Sequence, residues 1–197
     1  PEAVGASLDP AQLPEPQRPT LERPWNVLIP GVGGSGVTTL GALLGMAAHL
    51  EGKGCTVLDQ AGLAQKFGPV VTHIRIAAKQ DDIYAVRIAA GETDLLLGCD
   101  LVVAAGDDSL TRLNDQISHA VINSHESATA EFTRNPDAQV PGKAMREALI
   151  DAVGAEKTHF IDATRLATRL LGDSIATNLF LLGFAYQQGL LPLSAEA

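Results

Sequence analysis

The chain has 197 residues, 46% hydrophobic and 19% charged, with a formal net charge of −9. This is the composition of one globular domain with a substantial core, not of a disordered chain, and the acidic balance argues against nucleic acid, whose binding rests on neutralising phosphates. No apolar run long enough to cross a bilayer is present, and no basic segment followed by an apolar stretch marks a secretory signal.

Residues 1–24 hold six of the 11 prolines and read as a Pro-rich linker or tail. A linker at that position suggests a piece of a longer polypeptide; an ordinary flexible tail is the other reading. The folded domain is expected over 25–192, with a short C-terminal tail at 193–197. "WNVLI" from Trp25 reads as a buried first strand, followed by a glycine loop and a helix over 37–51 that stops at Gly52 and Gly54. Its small residues Gly41, Ala42, Gly45, Ala47 and Ala48 suit close packing on a sheet. "CTVLD" is a second strand, ending at Asp59. "VVTHIRIAAK" is a third, with "DDIYAVRIA" as an antiparallel companion.

Further along, "ETDLLLG" reads as a short helix, "DLVVAAG" as a buried strand, "DDSLTRLNDQI" as a helix capped by Asp107, and "HAVINS" as a strand. A polar stretch over 124–139 is expected to be a surface loop. A helix over 143–153, the strand "THFID", a helix over 163–171 and a last helix over 174–188 complete the chain. The last helix is apolar around nearly its whole circumference, which requires deep burial or a covering partner. Alternating strands and helices predict a three-layer α/β/α fold, with a Rossmann-like, mostly parallel sheet and the glycine loop at the carboxyl end of an interior first strand.

Two cysteines, Cys55 and Cys99, lie in apolar stretches and read as buried thiols of a cytoplasmic protein. No C-x-x-C pair is present, and His119, His125 and His159 share no metal-ligand spacing, so no metal site is expected.

The chemistry is concentrated in "LIPGVGGSGVTTLG". Gly31, Gly33 and Gly36 fit G-x-G-x-x-G. Gly31, Gly36 and Thr38 also fit a triphosphate-binding loop, but Val37 stands where its lysine belongs, and nothing there reaches a γ-phosphate. On the dinucleotide pattern Gly31 allows the turn, Gly33 allows close approach of a ligand, and Gly36 allows the helix to approach the strand. The candidate phosphate site is therefore Gly31, Gly33, Gly34, Ser35, Gly36 and Thr38, with Arg75 adding charge from a neighbouring strand. Asp59, Gln60, Gln65, Lys66 and Asn178 are candidate ligand or interface contacts. Asn178 stands out as an amide in an apolar helix, placed to bond a neighbouring loop or to lie at a domain interface. A stand-alone NAD(P)-binding module also fits these residues, with Asp59 as the ribose carboxylate.

The segment "GVGGSGVTTLGALLGMAAHLEGKGCTVLDQAGLAQKFGPVVTHIRIA" resembles the gamma domain of 2-oxoacid:ferredoxin oxidoreductases. The likeness includes the G-x-G-G-x-G loop at Gly31–Gly36, the small-residue helix, Gly68-Pro69, and the "H-x-R-I" strand at His73–Ile76. It returns at Asp162-Ala163 and in a helix carrying Asn178, Leu182 and Gly183. "DQAGLAQKFGPV" departs from the family's common "G-P-E-M-R-G-G" and looks more like the fused bacterial indolepyruvate ferredoxin oxidoreductases. The resemblance implies a domain of an enzyme that decarboxylates an aryl 2-oxoacid such as indolepyruvate on thiamine diphosphate. Electrons would pass through iron–sulfur clusters to ferredoxin, and the acyl group to coenzyme A. It implies partner domains or subunits that carry the thiamine and the clusters, and leaves a homodimer open. The chain has no thiamine motif and no cluster cysteines, so no catalytic residue is expected in it and the isolated chain is expected to be inactive.

Overall fold

The computed structural model describes residues 13–62, 68–125 and 142–197. Its strands are β1 (Trp25–Val32), β2 (Gly54–Ala61), β3 (Pro69–Ala77), β4 (Leu95–Gly98), β5 (His119–Asn123) and β6 (Thr158–Ile161). Its helices are α1 (Val37–Leu50), α2 (Leu101–Ala104), α3 (Asp107–Leu110), α4 (Gly142–Val153), α5 (Ala163–Leu171) and α6 (Thr177–Gln187). The strands form one sheet in the order β2-β3-β1-β4-β5-β6. All run the same way except β3, which pairs antiparallel with both β1 and β2.

This is the three-layer α/β/α fold, with β1 in the sheet interior. Val27 and Ile29 face a layer built by Leu40 and Leu44 of α1 and by Leu181 and Ala185 of α6. Leu28 and Leu96 face the opposite layer, where α2 and α4 contribute Leu101, Leu149 and Val153. The alternation along β1 is the period-2 pattern of a strand buried on both sides.

α1 lies close to β2 and β3 because it presents glycines to them. A Cβ at Gly41 would stand 2.8 Å from the Thr72 methyl, and one at Gly45 3.0 Å from Val57. Ala48 is buried, Ala47 is half-buried, and Ala42 faces outward.

Three local readings of the sequence are corrected. Leu95–Gly98 is strand and Leu101–Ala104 is helix, the reverse of the expectation. Leu95, Leu96 and Leu97 are fully buried between β1 and β5, and the Asp100 carboxylate accepts the Val103 N–H and starts a helical turn. A short apolar run carries no period that distinguishes the two states. Second, "DDIYAVRIA" contains no strand: Gln80–Asp82 is a 3₁₀ turn and the rest crosses the sheet face as an irregular strap. The antiparallel companion of β3 is β2. Third, Gly106 caps α3, with Asp107 inside its first turn. The polar stretch 124–139 lies mostly outside the described residues.

The first and last described segments are anchored. The Pro14 carbonyl accepts from the Gln187 amide, and Arg23 ion-pairs with buried Asp94. Leu193, expected in a C-terminal tail, is 3% exposed, and the Ser194 N–H donates to the Glu51 carboxylate.

Candidate functional site

The chain leaves β1 toward β2 on one side and later returns to β4 on the other, so the topology switches direction between the carboxyl ends of β1 and β4. A crevice at such a switch is where open α/β sheets take ligands. The glycine loop, residues 31–36, sits there.

Each glycine has its own steric reason. Gly31 is the point of close approach: a Cβ would stand 2.5 Å from a Val37 methyl and 3.0 Å from the Cys99 Cβ. The Gly33 N–H donates to the Gly68 carbonyl at 2.8 Å, which clasps the loop to the segment entering β3. Gly34 and Gly36 have φ of 87° and 89°, in the left-handed region. The roles expected from the dinucleotide pattern are therefore redistributed. Gly31 admits the helix, Gly33 meets protein, and Gly34 is the open position, with nothing within 4 Å of a Cβ there.

Ser35 is bound from three directions. Its N–H and its hydroxyl both donate to the Val32 carbonyl, and its own carbonyl accepts from the Asn178 amide at 2.7 Å. Asn178, 8% exposed on α6, thus pins the loop from 143 residues away. Among the described residues, no protein group accepts from the N–H groups of Gly36, Val37 or Thr38. They stand at the start of a 14-residue helix, where the Thr38 side chain is exposed. Val37 is 2% exposed and belongs to the core, so its side chain reaches no ligand.

Arg75 does not join this group, and the expectation that it adds charge to the loop is corrected. In the sheet register Arg75 pairs with Asn26, at the amino end of β1, whereas the loop end of β3 is Pro69, opposite Val32. Its guanidinium donates to the Ala85 carbonyl and lies 3.7 Å from the Glu92 carboxylate. Asp59 and Gln60 do reach the carboxyl end of the sheet but face opposite ways. Asp59 accepts from the Thr72 hydroxyl on the α1 side, and Gln60 bonds His73 on the other. Gln65 and Lys66 lie outside the described residues.

Two groups at the crevice escaped the sequence reading. The Gly68 carbonyl carries no side-chain signal. Asn123, 5% exposed at the end of β5, donates to Thr164 and to the Cys99 carbonyl. Its position at the end of "HAVIN" was its only mark.

His73 is fully buried. Its Nδ1 accepts the Ile88 N–H at 3.3 Å, so Nε2 carries the proton and donates to the Gln60 Oε1 at 2.7 Å. Burial first, then the charges of Arg112 and Arg87, push the imidazole down from 6.5 to about 4. An unfolded chain binds this proton near pH 6.5 and the folded one only near pH 4, so stability should fall as pH drops through that window. Urea melts of the parent and of His73→Gln should show a shallower pH slope in the variant; equal slopes would exclude this origin. Burial raises the thiols as well, Cys55 to about 11 and Cys99 to about 12, so neither is a nucleophile at neutral pH. Cys99 is buried as expected and Cys55 only partly.

Among the described residues no cluster of His, Cys, Asp or Glu could hold a metal ion, and no helix is long and apolar enough to cross a membrane. Residues 26–197 match the family described as pyruvate ferredoxin/flavodoxin oxidoreductase. The chain belongs to this family. An indolepyruvate oxidoreductase subunit IorB of Pyrococcus horikoshii is 31% identical over 182 residues, covering 87% of this chain and 81% of that protein. Its counterpart from Thermococcus kodakarensis is 27% identical over a similar span. Among solved structures, the pyruvate oxidoreductase subunit PORC of Thermotoga maritima superposes with a TM-score of 0.57 at 16% identity, covering 87% of this chain and 80% of that one. A 2-oxoglutarate:ferredoxin oxidoreductase from Magnetococcus marinus, with 2-oxoglutarate, coenzyme A and succinyl-CoA bound, gives 0.58 at 13% identity, over 83% of this chain and 24% of that one. These solved structures share this fold.

Proposed function

We propose that the chain is the gamma-type component of a 2-oxoacid:ferredoxin oxidoreductase acting on an aryl 2-oxoacid such as indolepyruvate. The observation that carries this reading is the 31% identity to the indolepyruvate oxidoreductase subunit, spread over nearly all of the described fold. The thiamine diphosphate and the iron–sulfur clusters belong to partner subunits or domains. The whole chain has two cysteines, one buried under the glycine loop, and a cluster takes four thiolates. Ferredoxin receives the electrons from those partners, and the protein works in the cytoplasm.

In this reading the glycine loop binds a phosphate of coenzyme A, whose thiol takes the acyl group. The support is the set of N–H groups at Gly36, Val37 and Thr38, aligned with the amino end of α1, where the helix dipole favours negative charge. Gly34 keeps the approach open, and Asn178 holds the loop in shape before a ligand arrives, so less ordering is required on binding.

The reading predicts that the purified chain alone does not reduce a viologen or ferredoxin with indolepyruvate. Adding the thiamine- and cluster-bearing partner should restore turnover. Turnover by the chain alone, or full activity of the partner without it, would overturn the assignment.

A further inference from the structure

Among the described residues, helix covers only the β4–β6 side of the sheet face opposite α1. Over β2, β3 and the first residues of β1, the cover is the irregular strap of residues 78–93. It is held by polar contacts: the Ile88 N–H on His73, the Ala85 carbonyl on Arg75, and the Glu92 carbonyl on the Asn26 amide. Beneath it, Asn26, Arg75 and Thr56 stand side by side across three neighbouring strands, because Arg75 is the register partner of both others. All three carry a buried polar atom with no protein partner: Asn26 Oδ1, Arg75 Nε and Thr56 Oγ1. The one other such atom among the described residues is Thr93 Oγ1, so the unsatisfied groups are concentrated in a single row.

Their chemistry is complementary. Arg75 Nε–H is a donor only, Asn26 Oδ1 is an acceptor only, and the Thr56 hydroxyl is both. Asn26 is 2% exposed, and its amide nitrogen is committed to the Glu92 carbonyl, so flipping the amide would sacrifice that bond. An anion would meet the Asn26 oxygen, and a cation would meet the guanidinium. A neutral molecule able to donate and accept fits all three.

We infer that this row is a binding site for one internal water. The water accepts from Arg75 Nε, donates to Asn26 Oδ1, and exchanges a third bond with Thr56. Three bonds is the usual complement of a buried water. The water forms the joint between sheet and strap, since Asn26 and Arg75 each bond the strap with their remaining polar atoms. This also gives Arg75 a use at the end of the sheet away from the glycine loop.

A high-resolution crystal structure of the chain tests this. The expected result is an ordered water within hydrogen-bonding distance of both Asn26 Oδ1 and Arg75 Nε. A direct bond between those two atoms, or no density between them, would overturn the inference. Hydrogen exchange at the Ile88 amide gives a second readout. Thr56→Val removes one partner of the water and should speed that exchange about tenfold relative to the parent, whereas Thr56→Ser should leave it unchanged. Equal exchange in Thr56→Val and Thr56→Ser would exclude a water held by the hydroxyl.

Discussion

Arg23→Ala destabilises the fold by about 2–4 kcal/mol, as much as a core truncation, although the arginine side chain is 52% exposed. The reason lies in its partner. Asp94 is 1% exposed at the entrance to β4, and its carboxylate accepts two bonds from the Arg23 guanidinium and one from the Asn26 N–H. Removing the arginine leaves a buried carboxylate with one donor, and a buried charge without its counter-ion is the costly half of a broken pair. Half exposure of the arginine places the estimate toward the lower end of the range seen for fully buried pairs. Asp94→Asn combined with Arg23→Ala should recover part of the loss, because it removes the stranded charge. Denaturant melts of the two variants measure this. A neutral Arg23→Ala would show the pair to be a surface ornament.

Gly31→Val should reduce the folded population further, to the point of insolubility in a marginally stable host. Overpacking of a close-packed interior usually costs about 1–3 kcal/mol, and more when no neighbour can yield. Here the Cβ alone meets Val37 and Cys99 at 2.5 and 3.0 Å. Val37 is β-branched within a helix and has essentially one rotamer, while the Cys99 Cβ is tied to backbone bonded to Pro30. Gly34→Ala tests the other kind of glycine: space is free, and only the left-handed backbone resists it, at about 1 kcal/mol. Circular-dichroism melts should rank Gly31→Val well below Gly34→Ala. The reverse order would contradict the packing account.

The parts of this molecule that were legible in its sequence are those where one local rule decides. The loop between β1 and α1, the small-residue helix, α5 and β5 follow from glycine spacing, periodicity and β-branched runs. Asn178 was conspicuous because an amide in an apolar helix needs a partner, and the Ser35 carbonyl is that partner. What could not be read depends on tertiary context. "LLLGCDLVVAA" holds no period, and only burial between β1 and β5 and the cap by Asp100 sort strand from helix. Arg75 sits two residues from His73 on the same face of β3, but the direction of the strand carries it away from the loop. Sequence spacing shows which side chains share a face. It does not show which end of the sheet they reach, or that the strap after β3 crosses that face without joining the sheet.

The central claim is that the mouth of the glycine loop takes a phosphate of coenzyme A in the assembled enzyme. Thr38→Glu isolates it. Thr38 is exposed in the first turn of α1, which holds no acidic residue, so a glutamate there suits the helix dipole and should leave melting unchanged or slightly raised. The same carboxylate competes with a bound phosphate for the Gly36, Val37 and Thr38 N–H groups. In the assembled enzyme the apparent KM for coenzyme A should rise about tenfold or more, the scale of losing charge-assisted hydrogen bonds, while the KM for the 2-oxoacid stays constant. An unchanged coenzyme A requirement in an intact, active assembly carrying Thr38→Glu would contradict the claim and leave the loop as a contact between parts of the enzyme.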